Sequence, residues 1–230
     1  MVYGEIEQVE GYPFIAYQPQ VFSPAEQRSR SASFYKWLNQ RRTVRNFSNA
    51  AIDPEVIRNI IRAASTAPSG AHKQPWTFCI VSNPDIKKQI RVAAEKEEFD
   101  SYNGRMSEEW KDDIRQLQTD WHKPFLEVAP FLIVVFKQVY QQLPDGSKKS
   151  NYYVAESVGL ACGMLLAAIH NAGLVALTHT PSPMNFLSQI LQRPDNERPF
   201  LLIPVGQPAN HTLVPHFGRK PLAEIAVFYP

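Results

Sequence analysis

Arg41-Arg42-Thr43-Val44-Arg45 places three guanidinium groups within five residues, and the planar fork of arginine suits bidentate contact with phosphate oxygens. Taken alone, such a run also describes a solvated basic surface. Ala67-Pro68-Ser69-Gly70-Ala71-His72 gathers small residues where a backbone can approach something flat or bulky, although Pro-Ser-Gly equally sets an ordinary turn. Thr178-His179-Thr180-Pro181 ends a β-rich segment, the position where ligands of sheet proteins often lie; the plainer reading is a polar strand terminus. His72 and His179 lack partners at ligand spacing, and the two cysteines, Cys79 and Cys162, stand in separate apolar runs. No metal site is therefore expected, and each thiol reads as buried. Gly-x-Gly-x-x-Gly, Walker and His-Glu-x-x-His signatures do not occur.

The elements that must position these groups follow from periodicity. Residues up to 32 contain Pro13, Pro19 and Pro24 without apolar periodicity, which predicts an extended N-terminal arm (1–32) ahead of a single domain (33–230). Phe34, Trp37 and Leu38 predict a helix running into Arg41 and Arg42, whose charge complements a helix C-terminus. Asp53-Pro54-Glu55 starts a second helix, with Val56, Ile57, Ile60, Ile61 and Ala64 on its inner face. Short buried strands are predicted at 77–81, 131–136, 174–178 and 200–205, and an added strand at 225–229, on this chain's sheet or on a partner's. Asn83-Pro84 opens another helix. In the polar stretch 95–123, Trp110, Ile114, Leu117 and Trp121 recur at helical spacing, predicting a helix with a narrow apolar stripe. The segment 151–171 is apolar almost all round and closes on Asn171-Ala172-Gly173, predicting a helix in the core or at a subunit interface.

Composition narrows the function classes. With 230 residues, 44% hydrophobic, 20% charged and a net charge of +2, the chain can bury a core. It lacks the charge excess of a disordered regulator or a nucleic-acid binder. No run approaches the roughly 18 consecutive apolar residues of a membrane span, and the acidic N-terminus does not read as a secretory signal. A soluble protein in a reducing cytoplasm is the expectation.

Together the motifs match a family. RRTVR, APSGAH followed by PWTF, the THTP strand end and Arg219-Lys220-Pro221 stand in the order and spacing of the flavin-dependent nitroreductase superfamily, and within it the chain resembles the iodotyrosine deiodinases. The resemblance covers about 34–227. It implies an α+β nitroreductase-like fold, a central mixed but mainly antiparallel sheet flanked by helices, in an intertwined homodimer. The implied cofactor is FMN, contacted by Arg41, Arg42, Thr43, Val44 and Arg45, by Ser69 and Gly70, by Thr178, His179 and Thr180, and by Arg219. Glu98, Tyr102 and Lys123, in a substrate-lid insert at about 95–123, match the residues that hold the amino-acid part of the substrate, and Ala71 matches the one whose backbone N–H meets its phenolate oxygen. Glu98 and Tyr102 are four apart and share a helix side. A zwitterion needs an acceptor such as Glu98 and donors such as Lys123 and the Tyr102 hydroxyl.

The implied reaction is reductive dehalogenation of 3-halotyrosines, 3-iodo-L-tyrosine giving L-tyrosine and iodide, through one-electron flavin steps. Thr180 is placed at flavin N5, with Thr178 as the alternative, and these two are the catalytic candidates. NADPH or a separate reductase would supply electrons. Two other readings stand beside this one: a general NAD(P)H-dependent nitroreductase or flavin reductase, and a non-catalytic flavin-dependent ligand-binding protein. No nucleic acid or membrane partner is implied.

Overall fold

The computed structural model describes residues 5–230, in two compact units, one ending at Gln40 and the other beginning at Arg41. In the first unit, β1 (Ile6–Val9) and β2 (Tyr12–Ile15) form an antiparallel hairpin. Its turn residues Glu10 and Gly11 both have positive φ, 51° and 81°, the geometry of a tight two-residue hairpin turn. Helix α1 runs over Pro24–Asn39, so the helix expected from Ser33 starts earlier and the segment to residue 32 is not an extended arm. The cause is a capping box: the Ser23 side chain accepts from the Glu26 N–H, while Glu26 reaches back to the Ser23 N–H at 3.0 Å. Because α1 buries none of its residues, no apolar periodicity marked its first half.

The second unit is built on a four-stranded antiparallel sheet of order β3-β4-β8-β7, with β3 Trp76–Val81, β4 Phe131–Gln138, β7 Val175–Ala176 and β8 Glu197–Gly206. Strand β4 is central and fully buried from Phe131 to Phe136, because its two faces feed two cores. Phe131, Ile133 and Val135 pack with residues of α2 (Pro54–Ala64) and α6 (Val154–Asn171). Leu132, Val134 and Phe136 pack with residues of α3 (Pro84–Asp100), α5 (Phe125–Val128) and α7 (Asn185–Ile190). A parallel bridge from Thr43 to Ala176 gives the sheet its mixed character. A minor hairpin joins β5 (Tyr140–Gln142) to β6 (Lys148–Ser150).

Among the described residues α6 is the one helix long and apolar enough to cross a membrane. It is a core helix here: Ser157, Val158, Ala161, Cys162, Leu165 and Ile169 are buried, and Gly173 ends it with φ 73°. Leu160 and Met164 on its other side are exposed.

Two expected elements are corrected. The stretch 95–123 is not one helix: α3 ends at Asp100, a π-turn covers Ser101–Arg105, and α4 (Glu108–Arg115) starts afresh on the Ser107 cap. Irregular chain then leads to α5. Gly104 in the turn and the serine cap break the continuity that the Trp110 stripe implied. At the C-terminus Ile225 ends the short helix α8 (Leu222–Ile225) rather than opening a strand, and among the described residues 226–229 pair with no strand of this chain.

Candidate active site

The arginine segment is stitched to the sheet on both sides. Val44 donates its N–H to Ala176 O at 3.2 Å, and Ser48 and Ala209 close bonds of 2.9 and 3.0 Å with Gln207 O and Asn46 O. Along this stretch Val44 and Phe47 are in the core, both 5% exposed, while Arg41, Arg42 and Arg45 are half-buried. The side chain of Val44 lies in the core and its N–H is committed to Ala176 O, so a ligand contact from this residue would be made by its carbonyl. Phe47 has room because residue 206 is glycine. A Cβ there would stand 3.0 Å from Phe47 Cδ1 and 2.9 Å from Pro130 Cδ.

Arg219 joins the group from far along the chain, donating to Arg41 O at 3.1 Å, and Arg42 donates to Pro215 O. Burial first, then the charges of Arg219 and Arg42, pull the Arg41 pKa below its ordinary value. Among the described residues none of Arg41, Arg42 and Arg45 forms an ion pair with a carboxylate. Like charges held together without a counter-charge make a binding place for an anion.

The turn at residues 67–74 is held in costly conformations. Ala71, His72 and Gln74 have φ of 46°, 55° and 47°, each left-handed without the freedom of glycine, at about 1 kcal/mol or more apiece. Ser69 pins it: its Oγ accepts from the Gln74 N–H at 2.9 Å and its carbonyl from the His72 N–H at 3.0 Å. Gly70 lies close against α6, where a Cβ would come within 3.2 Å of Tyr153 Cδ2 and 3.3 Å of Tyr152 O. Ala71 is left exposed at the surface of this turn.

Glu98, Tyr102 and Lys123 do come together. Glu98 stands near the end of α3, Tyr102 in the π-turn, and Lys123 just before α5, 4% exposed. Lys123 Nζ lies 3.5 Å from Glu98 Oε2 and 5.8 Å from the centroid of the Tyr102 ring. It also donates to Asp120 O and to Thr119 Oγ1, and Tyr102 Oη donates to Thr119 O at 3.2 Å. Burial pushes the Glu98 pKa up and the Lys123 pKa down, and each charge partly offsets the shift of the other. Arg45 ties this clamp to the arginine group, since its charge acts on Tyr102, Lys123 and His179.

His179 is pinned by its backbone, which exchanges bonds of 2.8 and 3.0 Å with Leu202 of β8. It is buried while Thr178 and Thr180 on either side are exposed, as strand alternation requires. The threonine hydroxyls therefore belong to an open face, and the imidazole turns inward to Glu98. One supporting residue was not expected from the sequence. Glu95 Oε1 accepts the Lys123 N–H at 2.6 Å and pairs with Arg91 at 2.8 Å; the four-residue spacing of Arg91 and Glu95 was the available signal.

Residues 38–207 match the Nitroreductase family. The chain belongs to the nitroreductase family. Within the family it is 66% identical over 216 residues to an iodotyrosine deiodinase of Haliscomenobacter hydrossis, covering 94% of this chain and 97% of that one. To human iodotyrosine deiodinase 1 it is 46% identical over 222 residues, 96% of this chain and 76% of the relative. The fold superposes on oxidized iodotyrosine deiodinase bound to FMN and 3-iodo-L-tyrosine with a TM-score of 0.73 at 32% identity, covering 86% of this chain and 98% of that chain.

Proposed function

We propose that this chain is an FMN-dependent oxidoreductase that dehalogenates 3-halotyrosines, converting 3-iodo-L-tyrosine to L-tyrosine and iodide. The observation that carries the reading is the buried Glu98–Lys123 ion pair beside Tyr102, electrostatically coupled through Arg45 to a run in which Arg41, Arg42 and Arg45 have no carboxylate partner among the described residues. One region suits a zwitterion and the other a phosphate. The iodotyrosine deiodinase relatives, one solved with FMN and 3-iodo-L-tyrosine, support the same pairing of ligands.

The residues present fit FMN. Arg41, Arg42, Arg45 and Arg219 would hold its phosphate and neighbouring oxygens, with Thr43, Ser69 and Gly70 lining the approach, and the exposed Thr178 and Thr180 would face the ring system. Ser69 Oγ accepts from the Gln74 N–H, which leaves its O–H to donate to FMN. When bound and reduced, FMN supplies the two electrons by which a carbon–halogen bond is exchanged for carbon–hydrogen and halide leaves. Thr180 is the hydroxyl proposed to govern delivery of those electrons one at a time, with Thr178 second.

Glu98 accepts from the substrate ammonium, and Lys123 and Tyr102 donate to its carboxylate. This fixes the ring with the entropy of positioning spent beforehand. The Ala71 N–H, on a turn that its neighbours hold rigid, meets the phenolate oxygen and favours the ionised ring. The insert at about 95–123 closes over the ligand and keeps water out.

A homodimer is part of the proposal. Leu160 and Met164 on α6, and Leu213, Leu222, Ile225, Val227, Phe228 and Tyr229 near the C-terminus, are exposed apolar side chains of the kind a partner subunit covers. A mass from light scattering equal to one chain would contradict it. Free Cys79 and Cys162 suit the reducing cytoplasm, and NADPH or a separate reductase serves as electron donor.

The test is anaerobic. The FMN-loaded, reduced protein is mixed with 3-iodo-L-tyrosine, and tyrosine, iodide and reoxidised flavin are expected in equal amounts. Rapid reduction of nitroaromatics with no tyrosine formed would overturn the proposal in favour of a general nitroreductase. Tight binding without either product would favour a binding protein.

A further inference from the structure

The clamp is neutralised from within before any ligand arrives. Lys123 shares its ammonium among Glu98 Oε2, Asp120 O and Thr119 Oγ1. A zwitterion offers its carboxylate to Lys123 and its ammonium to Glu98. As Lys123 turns to the ligand, Glu98 loses its internal partner while the site around it dries, which is costly for a carboxylate. The other ion-pair neighbour of Glu98 among the described residues is His179, whose Nδ1 is 3.9 Å from Oε1. Lys123 faces one carboxylate oxygen and His179 the other.

We infer that His179 is a positioning residue for substrate recognition, whose Nδ1–H takes up Glu98 Oε1 as Lys123 turns to the substrate carboxylate. The inference rests on the halotyrosine reading above.

Three features carry it. First, His179 cannot follow Glu98 away, because both its backbone groups are tied to Leu202 and Phe125 stands edge-on to its ring at 5.7 Å and 87°. The fixed imidazole thus sets where Glu98 comes to rest, and a movement of about 1 Å completes a hydrogen bond. Second, Nε2 is buried with no partner. A neutral ring with its proton on Nδ1 points a donor at the carboxylate and leaves only a lone pair unmet. The other tautomer would bury an unpaired N–H and aim a lone pair at Glu98.

Third, the ring stays uncharged. Burial, then Lys123 and Arg45, hold its pKa down to about 3. Tyr102 and Asp120 are the remaining titratable groups turned toward the clamp. A neutral donor suits the task, since a cation at this place would repel the substrate ammonium.

The test uses the FMN-loaded native protein, His179→Phe and His179→Asn, each titrated with 3-iodo-L-tyrosine and with 2-iodophenol by flavin fluorescence. Phenylalanine keeps the ring and removes the donor; asparagine places an amide N–H near the Nδ1 position. His179→Phe is expected to weaken 3-iodo-L-tyrosine about tenfold, the worth of a hydrogen bond to a charged group, and 2-iodophenol less than about twofold. His179→Asn should recover most of the difference. Equal losses for both ligands, no loss, or no recovery with asparagine would overturn the inference. If the native protein itself shows no preference for 3-iodo-L-tyrosine over 2-iodophenol, the halotyrosine reading falls and this inference with it. A native preference that His179→Phe leaves intact sinks the inference alone. A measurement independent of variant folding is the nitrogen-15 spectrum of histidine-labelled native protein, where His179 should be neutral and protonated on Nδ1 at pH 7. An Nε2–H tautomer or an imidazolium would overturn the inference.

Discussion

The arginine group at residues 41–45 and the clamp of Glu98, Tyr102 and Lys123 are coupled through the charge of Arg45, yet they are built in opposite ways. The first gathers charges of one sign on a segment bonded to the sheet at Ala176 and Gln207, and burial, then the charges of Arg219 and Arg42, depress the Arg41 pKa. The second holds charges of both signs in contact, on a helix end and an irregular loop. A cofactor that stays can serve as a structural counter-charge, so its seat can be left unbalanced. A substrate that comes and goes must leave behind a chain that remains folded, so its seat neutralises itself. Rigid and unbalanced on one side, adaptable and balanced on the other, the two regions separate a permanent ligand from a passing one.

The contrast can be broken most directly at Lys123. Lys123→Ala leaves Glu98 buried without its cation, and 3-iodo-L-tyrosine binding is expected to fall about a hundredfold against less than about threefold for 2-iodophenol. The protein should also melt at lower temperature. Equal losses for the two ligands would show that the clamp does not read the amino-acid end. Arg41→Ala should weaken FMN about tenfold, yet leave the flavin-free protein as stable as before or more so, because it relieves repulsion. A lower melting temperature for flavin-free Arg41→Ala would erase the distinction between the regions.

Thr180→Ala should bring the two one-electron reductions of the ligand-bound flavin closer together in a spectroscopic titration. An unchanged separation would move the role to Thr178. The smallest effect concerns pH. The unfolded chain takes a proton on His179 as pH falls through about 6.5, while the folded chain resists until about 3. The folded state therefore loses stability progressively across that window as pH falls. His179→Asn should flatten this part of the stability profile between pH 4 and 7 in denaturant titrations, and an equal slope in both proteins would mean that His179 is not held neutral.

Much of the frame was legible. Strand β4 announced itself as a continuous apolar run because it is buried on both faces, and α2 and α3 carried Asp53-Pro54 and Asn83-Pro84 at their starts. Helix α1 was misread because its signal lies in the Ser23 and Glu26 side chains rather than in periodicity, which a helix burying nothing does not need. The insert was misread for the reverse reason: the Trp110, Ile114, Leu117 and Trp121 spacing continued across a helix end, and Trp110 is half exposed. At the site, the arginines could be picked out by residue type alone. Glu98 and Lys123 could not, because 25 positions of chain separate groups that only the turn after α3 brings together, and the family resemblance supplied them. The inward direction of His179 followed from strand alternation once the strand end was placed, but its neighbour Glu98 comes from another element.

Gly206 has a consequence for where defects in this protein would be found. Its missing side chain leaves space that both Phe47 and Pro130 border, and Phe47 is two residues from Arg45. A methyl group at 206 would press on that ring and shift the strand that carries the arginines. Flavin-poor variants selected without regard to structure should therefore include substitutions at position 206, at the end of strand β8. Their bearers would keep every cofactor-facing residue and still purify pale.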